Sequence, residues 1–190
     1  MSSFSRPTPT DTALLVCDLQ ESNRSSIQYF PEIVAVSKRM IDAARLLDMK
    51  IIGTEHFPDA SGNTVPELQM NSDIAVFEKT KFSMCIHSLE KQLKDVKNVV
   101  LVGVEAHVCV LLTALDLLEK NLNVHVVVDA VSSRSLLDRK FGFKQMEQAG
   151  AMLTTSESIL FGILGGSDHP QFQEILNLVS VPVPDVGLVR

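Results

Sequence analysis

Short unbroken apolar runs alternate along the chain with longer segments whose apolar positions recur every three to four residues. The first run, TALLVCD at 12–18, ends on a charge; MKIIGTE (49–55), SDIAVFEKT (72–80), NVVLVGV (98–104), LNVHVVVDA (122–130) and AMLTT (151–155) follow it. Runs this short, rich in Val, Ile and Leu, read as strands buried on both faces. Between them, PEIVAVSKRMIDAARLLD (31–48) puts Ile33, Val36, Met40, Ala44 and Leu47 on one helical face, with Pro31 and Glu32 suited to its first turn. SLEKQLKD (88–95), HVCVLLTALDLLEK (107–120), DRKFGFKQMEQAG (138–150), SESILFGIL (156–164) and HPQFQEILNLV (169–179) read as further helices. Gly150 is placed to close one of them and Ser156 to cap the next. The alternation predicts an α/β fold, a three-layer Rossmann-like parallel sheet with helices on both faces. HFPDASGNTVPELQMN (56–71) is rich in turn formers and reads as a long loop, a common carrier of function.

In an open α/β sheet, ligands bind beyond the carboxyl ends of the strands. That rule selects Asp18 and Gln20 after the first strand and Glu55 and His56 after the second. It adds Lys79 and Lys81 after the third, Glu105, His107 and Cys109 after the fourth, and Asp129 at the end of the fifth. Cys109 sits where a strand hands over to a helix, and a thiol near a helix N-terminus feels unpaired N–H groups and a positive dipole end that favour the thiolate. The same groups stabilise an oxyanion when a thiolate attacks a carbonyl. On this stretch alone, a small packing residue and a nucleophile are equally good readings of Cys109. Asp18 follows five apolar residues and is expected to lie deep, where a carboxylate needs a partner. It is the candidate acceptor of the thiol proton, and Lys79 the candidate partner that keeps it ionised. Cys17 alternates away from Asp18 and, like Cys85, reads as core; His125, inside a strand, reads as a core or edge histidine.

Composition narrows the partners. A chain of 190 residues suggests one domain, here 12–190 with a Pro-rich tail (180–190) behind a flexible lead-in (1–11). The net charge of −6 and aromatic content of 5% do not describe a general nucleic-acid surface, although Lys38, Arg39 and Arg45 form a candidate basic patch. No apolar run is long enough to span a bilayer. Three cysteines, with no CxxC pair, fit a reducing compartment, the cytoplasm or the mitochondrial matrix. A small-molecule substrate is the expected partner. The nearly apolar 107–120 helix and the tail VPVPDVGLVR are expected to pack on another copy of the chain, giving a homo-oligomer.

The segments LLVCDLQ, TEHFP, EKTKFSMC, VLVGVEAHVCVLLTALDLL and VHVVVDAVSSRS together resemble the isochorismatase-like cysteine hydrolase superfamily, and within it the branch of isochorismatase domain-containing proteins. The resemblance runs from about residue 12 to the end, in order and spacing. It implies a six-stranded parallel sheet and a Cys–Asp–Lys triad: Cys109 as nucleophile, Asp18 as general base and, counting back four from Ser83, Lys79, with Lys81 the alternative. It further implies a cis peptide at Val104–Glu105 that contributes to an oxyanion hole, in a pocket that would include Val108 with Gln20, Glu55 and His56. The superfamily's nicotinamidases carry an Asp-x-His…His metal site after the second strand. TEHFPDASGN has one histidine there and no second partner downstream, so neither a metal nor a cofactor is expected. Hydrolysis of a vinyl ether such as isochorismate needs no thiol, so Cys109 points to an amide-like or acyl substrate and a thioester intermediate. A binding protein without turnover and a ribonuclease or RNA-processing factor are the alternatives.

Overall fold

In the computed structural model, which describes residues 6–188, the apolar runs form one sheet of six parallel strands in the order β3-β2-β1-β4-β5-β6. The strands are β1 (Thr12–Cys17), β2 (Lys50–His56), β3 (Ala75–Lys79), β4 (Asn98–Val104), β5 (Asn123–Ser132) and β6 (Met152–Thr154). The helices are α1 (Phe30–Leu46), α2 (Pro58–Ser61), α3 (His87–Gln92), α4 (Leu111–Glu119), α5 (Leu136–Ala149), α6 (Ser156–Leu164) and α7 (Phe172–Val179). β1 and β4 are buried along their whole length, which is why they read as unbroken apolar runs.

Side chains alternate across the central strands and divide the core in two. Leu14, Val16, Val100 and Val102 pack with α1, α6 and α7. Ala13, Leu15, Cys17, Val99 and Leu101 pack with α3, α4 and α5. The chain therefore leaves β1 through a helix on one face and β4 through a helix on the other. Their carboxyl ends diverge at the switch point of the sheet, which is where an open α/β sheet forms its crevice.

Several elements differ from the sequence expectation. The helix expected from residue 107 begins as a π-turn over Ala106–Val110, in which the Glu105 carbonyl accepts from both Val108 N (3.0 Å) and Val110 N (3.1 Å). β5 does not end at residue 130: its register against β4 shifts between Leu101↔Val126 and Gly103↔Val131, and the strand resumes to Ser132. Asp129 lies in that irregular stretch, away from the crevice. Its carboxylate accepts from Ser156 N (2.8 Å) and Ser156 Oγ (2.6 Å), so it ties β5 to the start of α6. The side chain that caps α6 is Thr155, not Ser156. Residues 1–5 of the expected lead-in and 189–190 of the tail lie outside the described residues. Pro9–Asp11 form a 3₁₀ turn whose Asp11 carboxylate accepts from Thr8 N, Thr12 Oγ1 and Asn98 Nδ2. The tail is held by two arginines: Arg39 donates to Val181 O, and the buried Arg139 donates to Val186 O and Val128 O. Burial lowers the Arg139 pKa to about 10. The candidate basic patch is internally engaged: Lys38 and Arg45 pair with Asp42, Arg45 also with Asp73, and Arg39 with the tail.

His125, in the middle of β5, is buried, and neither ring nitrogen has a hydrogen-bond partner among the described residues. Burial lowers its pKa below the ordinary 6.5. The neutral ring is therefore the folded form. As pH falls below the unfolded value of 6.5, the unfolded chain takes a proton that the folded chain refuses, and stability drops. Thermal melting at neutral pH and at pH near 5.5 is expected to show a larger acid loss for the wild type than for His125→Leu. Equal losses would assign the acid sensitivity to other groups.

Candidate active site

The carboxyl ends of β1, β2, β3 and β4 bring the predicted chemistry together. Asp18 follows β1 with φ 49°, a left-handed conformation that Asp tolerates better than most residues. The turn aims its carboxylate inward, where it is 4% exposed. Oδ1 accepts from Thr54 Oγ1 of β2 at 2.8 Å, and Oδ2 accepts from Lys79 Nζ at 2.6 Å. Lys79, the last residue of β3, also donates to Lys81 O (3.1 Å) and Phe82 O (2.8 Å), so all three ammonium protons are used. Burial opposes its charge, yet Cys17, Asp18 and Cys109 around it hold its pKa above that of an ordinary lysine. Lys81 is turned away: its ammonium pairs with Asp116 at 3.1 Å and is largely exposed.

Cys109 lies in the π-turn after β4 and borders a cavity of about 330 Å³. Asp18, Gln20, His56, Val104, Glu105 and Val108 line the same cavity. The Val104–Glu105 peptide is cis. Two glycines allow the Cys109 turn to sit where it does. Gly103 has φ 121°, and a side chain there would run into the Cys17 carbonyl of the neighbouring strand. Gly142 of α5 lies so close that a Cβ would stand 2.8 Å from Ala106 O and 3.0 Å from His107 Cα. Gly142→Ala is therefore expected to displace the turn and cost about 1–3 kcal/mol. Gly162→Ala, in α6 with nothing within 4 Å of the new methyl, is expected to stabilise by up to about 1 kcal/mol. Denaturant unfolding of the two variants checks this; equal effects would show that α5 does not brace the turn.

Other candidates have structural duties. Gln20 donates to His56 O (3.1 Å) and Gly62 O (2.7 Å) and accepts from His56 N (2.7 Å), so it clasps the end of β2 to the following loop. Glu55 is not on the cavity wall; its carboxylate accepts from Thr64 N (2.6 Å) and Asn63 Nδ2 (3.2 Å) and shapes that loop from behind. His56 is on the wall, stacked on Phe82 with ring centroids 5.6 Å apart. His107 shares a hydrogen bond of 3.0 Å with Ser133 Oγ. Glu105 pairs with Arg134, accepting from both its backbone N–H and its guanidinium. Of the other wall residues, Asn23 carried no sequence signal beyond its place in a loop, while Phe82 and Arg134 fall within EKTKFSMC and VHVVVDAVSSRS, segments of the resemblance that marked neither as a wall residue. Cys17 and Cys85 are buried; burial raises both thiols, Cys85 to about 11. Among the described residues no group of three or more His, Cys, Asp or Glu side chains is placed to hold a metal ion, and no helix is long and apolar enough to cross a membrane.

The arrangement offers a sulfur on the cavity wall, a buried carboxylate on the same wall and an ammonium that orients that carboxylate. Comparison with known proteins agrees with the fold that carries it. The isochorismatase domain family model matches residues 12–158. The mouse protein named isochorismatase domain-containing protein 2A is 48% identical over 191 aligned positions, covering 99% of this chain and 92% of its own. A solved Caenorhabditis elegans structure, described as the MAR1 ribonuclease, is 59% identical, covers 98% of both chains and superposes with a TM-score of 0.96. YcaC from Pseudomonas aeruginosa, described with hexane-2,5-diol and covalent acrylamide, is 27% identical, covers 93% of both chains and has a TM-score of 0.83.

Proposed function

The chain belongs to the isochorismatase family, and on that premise we propose that it is a cysteine hydrolase that needs no metal and cleaves small amide-like or acyl substrates through a thioester on Cys109. The observation that carries this reading is the buried Asp18–Lys79 pair at 2.6 Å beside a cavity that Cys109 borders. Asp18 takes the Cys109 proton, and the thiolate adds to the substrate carbonyl. The tetrahedral oxyanion is received by backbone N–H groups at the turn after the cis peptide. Asp18 returns the proton to the leaving amine or alcohol as the carbon–heteroatom bond breaks. Water, deprotonated by Asp18, then adds to the thioester, and Cys109 leaves as thiolate. Lys79 touches no substrate atom in this scheme; it aims the Asp18 carboxylate through their 2.6 Å hydrogen bond. The covalent acrylamide described for YcaC supports only the nucleophile part of the reading, because acrylamide adds to a nucleophile through its alkene and not its amide.

The cavity volume suits a small molecule rather than a polymer. Exposed Leu112, Leu137 and Phe141 on α4 and α5 support the further reading that the chain self-associates; light scattering showing a monomer would reject it.

The ribonuclease description of the C. elegans relative favours a second reading, cleavage of RNA. Such an enzyme needs cations for phosphate, yet Lys38, Arg39 and Arg45 are engaged, and Arg134 on the cavity wall is paired with Glu105. A panel of small amides and esters, run beside single-stranded RNA, tests the proposal. Turnover of a panel member that is lost in Cys109→Ala supports it. RNA cleavage lost in the same variant, with the panel untouched, replaces it with the second reading.

A further inference from the structure

Thr113 of α4 is completely buried, and its hydroxyl makes two hydrogen bonds, both to segments that build the site. It donates to the carbonyl of Cys109 at 2.6 Å and accepts from the backbone N–H of Met84 at 2.8 Å. Met84 lies in the segment between β3 and α3, where the Lys81 and Phe82 carbonyls hold the Lys79 ammonium. One hydroxyl therefore joins the turn bearing the sulfur to the segment that fixes the ammonium. These two segments come from different crossovers, one after β3 and one after β4, and β2 and β1 stand between those strands in the sheet. Lys81 and Asp116 also bridge these segments at 3.1 Å, but that pair is solvent-exposed, whereas the two Thr113 bonds are buried.

We propose that Thr113 is the positioning residue that holds the Cys109 turn at its working distance from the Asp18–Lys79 pair. The inference rests on the cysteine hydrolase reading and extends it to a residue that touches neither substrate nor the reacting atoms. Thr113→Val keeps the shape but removes both hydrogen bonds and strands a buried N–H at Met84, a loss that lets the two segments drift apart.

The test is the rate of iodoacetamide labelling of Cys109 at neutral pH, read by peptide mass, together with melting temperature. Wild-type Cys109 is expected to label faster than free cysteine. Thr113→Val and Thr113→Ala are each expected to slow it about tenfold, the equivalent of one lost buried hydrogen-bond partner. Thr113→Ser, which keeps the hydroxyl, is expected to restore the rate. In the Asp18→Asn, Lys79→Met background the Thr113→Val change is expected to have no further effect on labelling, because the group it aligns the sulfur with is gone. Wild-type labelling in both Thr113→Val and Thr113→Ala overturns the inference and leaves the hydrolase reading standing. So does an equal slowing in the double-variant background, which would mark Thr113 as packing. A wild-type Cys109 that labels no faster than free cysteine overturns the hydrolase reading, and the inference with it.

Discussion

Cys109→Ala is expected to reduce hydrolysis of any amide or ester that the wild type turns over by on the order of 10⁴- to 10⁶-fold, the scale seen when a covalent nucleophile is removed. The side chain is small and borders the cavity, so the fold should lose little, within about 1 kcal/mol. A large kinetic loss on an unchanged melting temperature is the signature to look for in steady-state assays. If Cys109→Ala retains more than a few per cent of wild-type turnover, the covalent route is wrong, whatever the substrate. An inactive variant that has also unfolded would instead make Cys109 a packing residue.

The second large effect concerns the pair beside it. Lys79 and Asp18 have side chains 0% and 5% exposed and meet at 2.6 Å. Removing one partner leaves the other charge buried without a counter-ion, so Asp18→Asn and Lys79→Met should each destabilise by about 3–5 kcal/mol. The double variant removes both charges and should recover most of that loss, since a buried ion pair is often no more stabilising than a neutral replacement. Activity should not recover, because the proton acceptor is gone. Chemical denaturation gives the stability cycle and turnover gives the activity. Additive destabilisation would show that the two groups do not interact. Recovered turnover in the double variant would remove Asp18 from the mechanism.

Much of this was written in the apolar pattern. Parallel strands covered on both faces must be apolar at every position, so β1 and β4 stood out without alignment, and the strand-end rule led from them to Asp18 and Cys109. Cys17 is buried as expected, but it does not turn away from the site: it lies beside Cys109, Asp18 and Lys79, and Asp18 reaches the crevice through a left-handed turn past the end of β1, not by alternation. Limits appeared where tertiary geometry outranks local pattern. Lys79 and Lys81 are two residues apart in one charged run; only the end of β3, where Lys79 turns inward beneath the Phe82 carbonyl, separates them. The Asp129 placement failed because an irregularity in β5 moves the strand end on to Ser132. The contacts of Thr113 with Met84 and of Gly142 with the Ala106–His107 backbone left no local mark, because each neighbour is brought close only by folding. Glu55 looked like a site residue because it ends a strand, yet the loop that follows folds back and consumes its carboxylate.

The most direct test is to quench the enzyme during turnover of a small ester and weigh it intact. A mass increase equal to the acyl group, mapped to the Cys109 peptide and absent from Cys109→Ala, is the predicted result. Turnover with no acyl mass on Cys109, even when hydroxylamine replaces water as the acceptor and yields no hydroxamate, would contradict it.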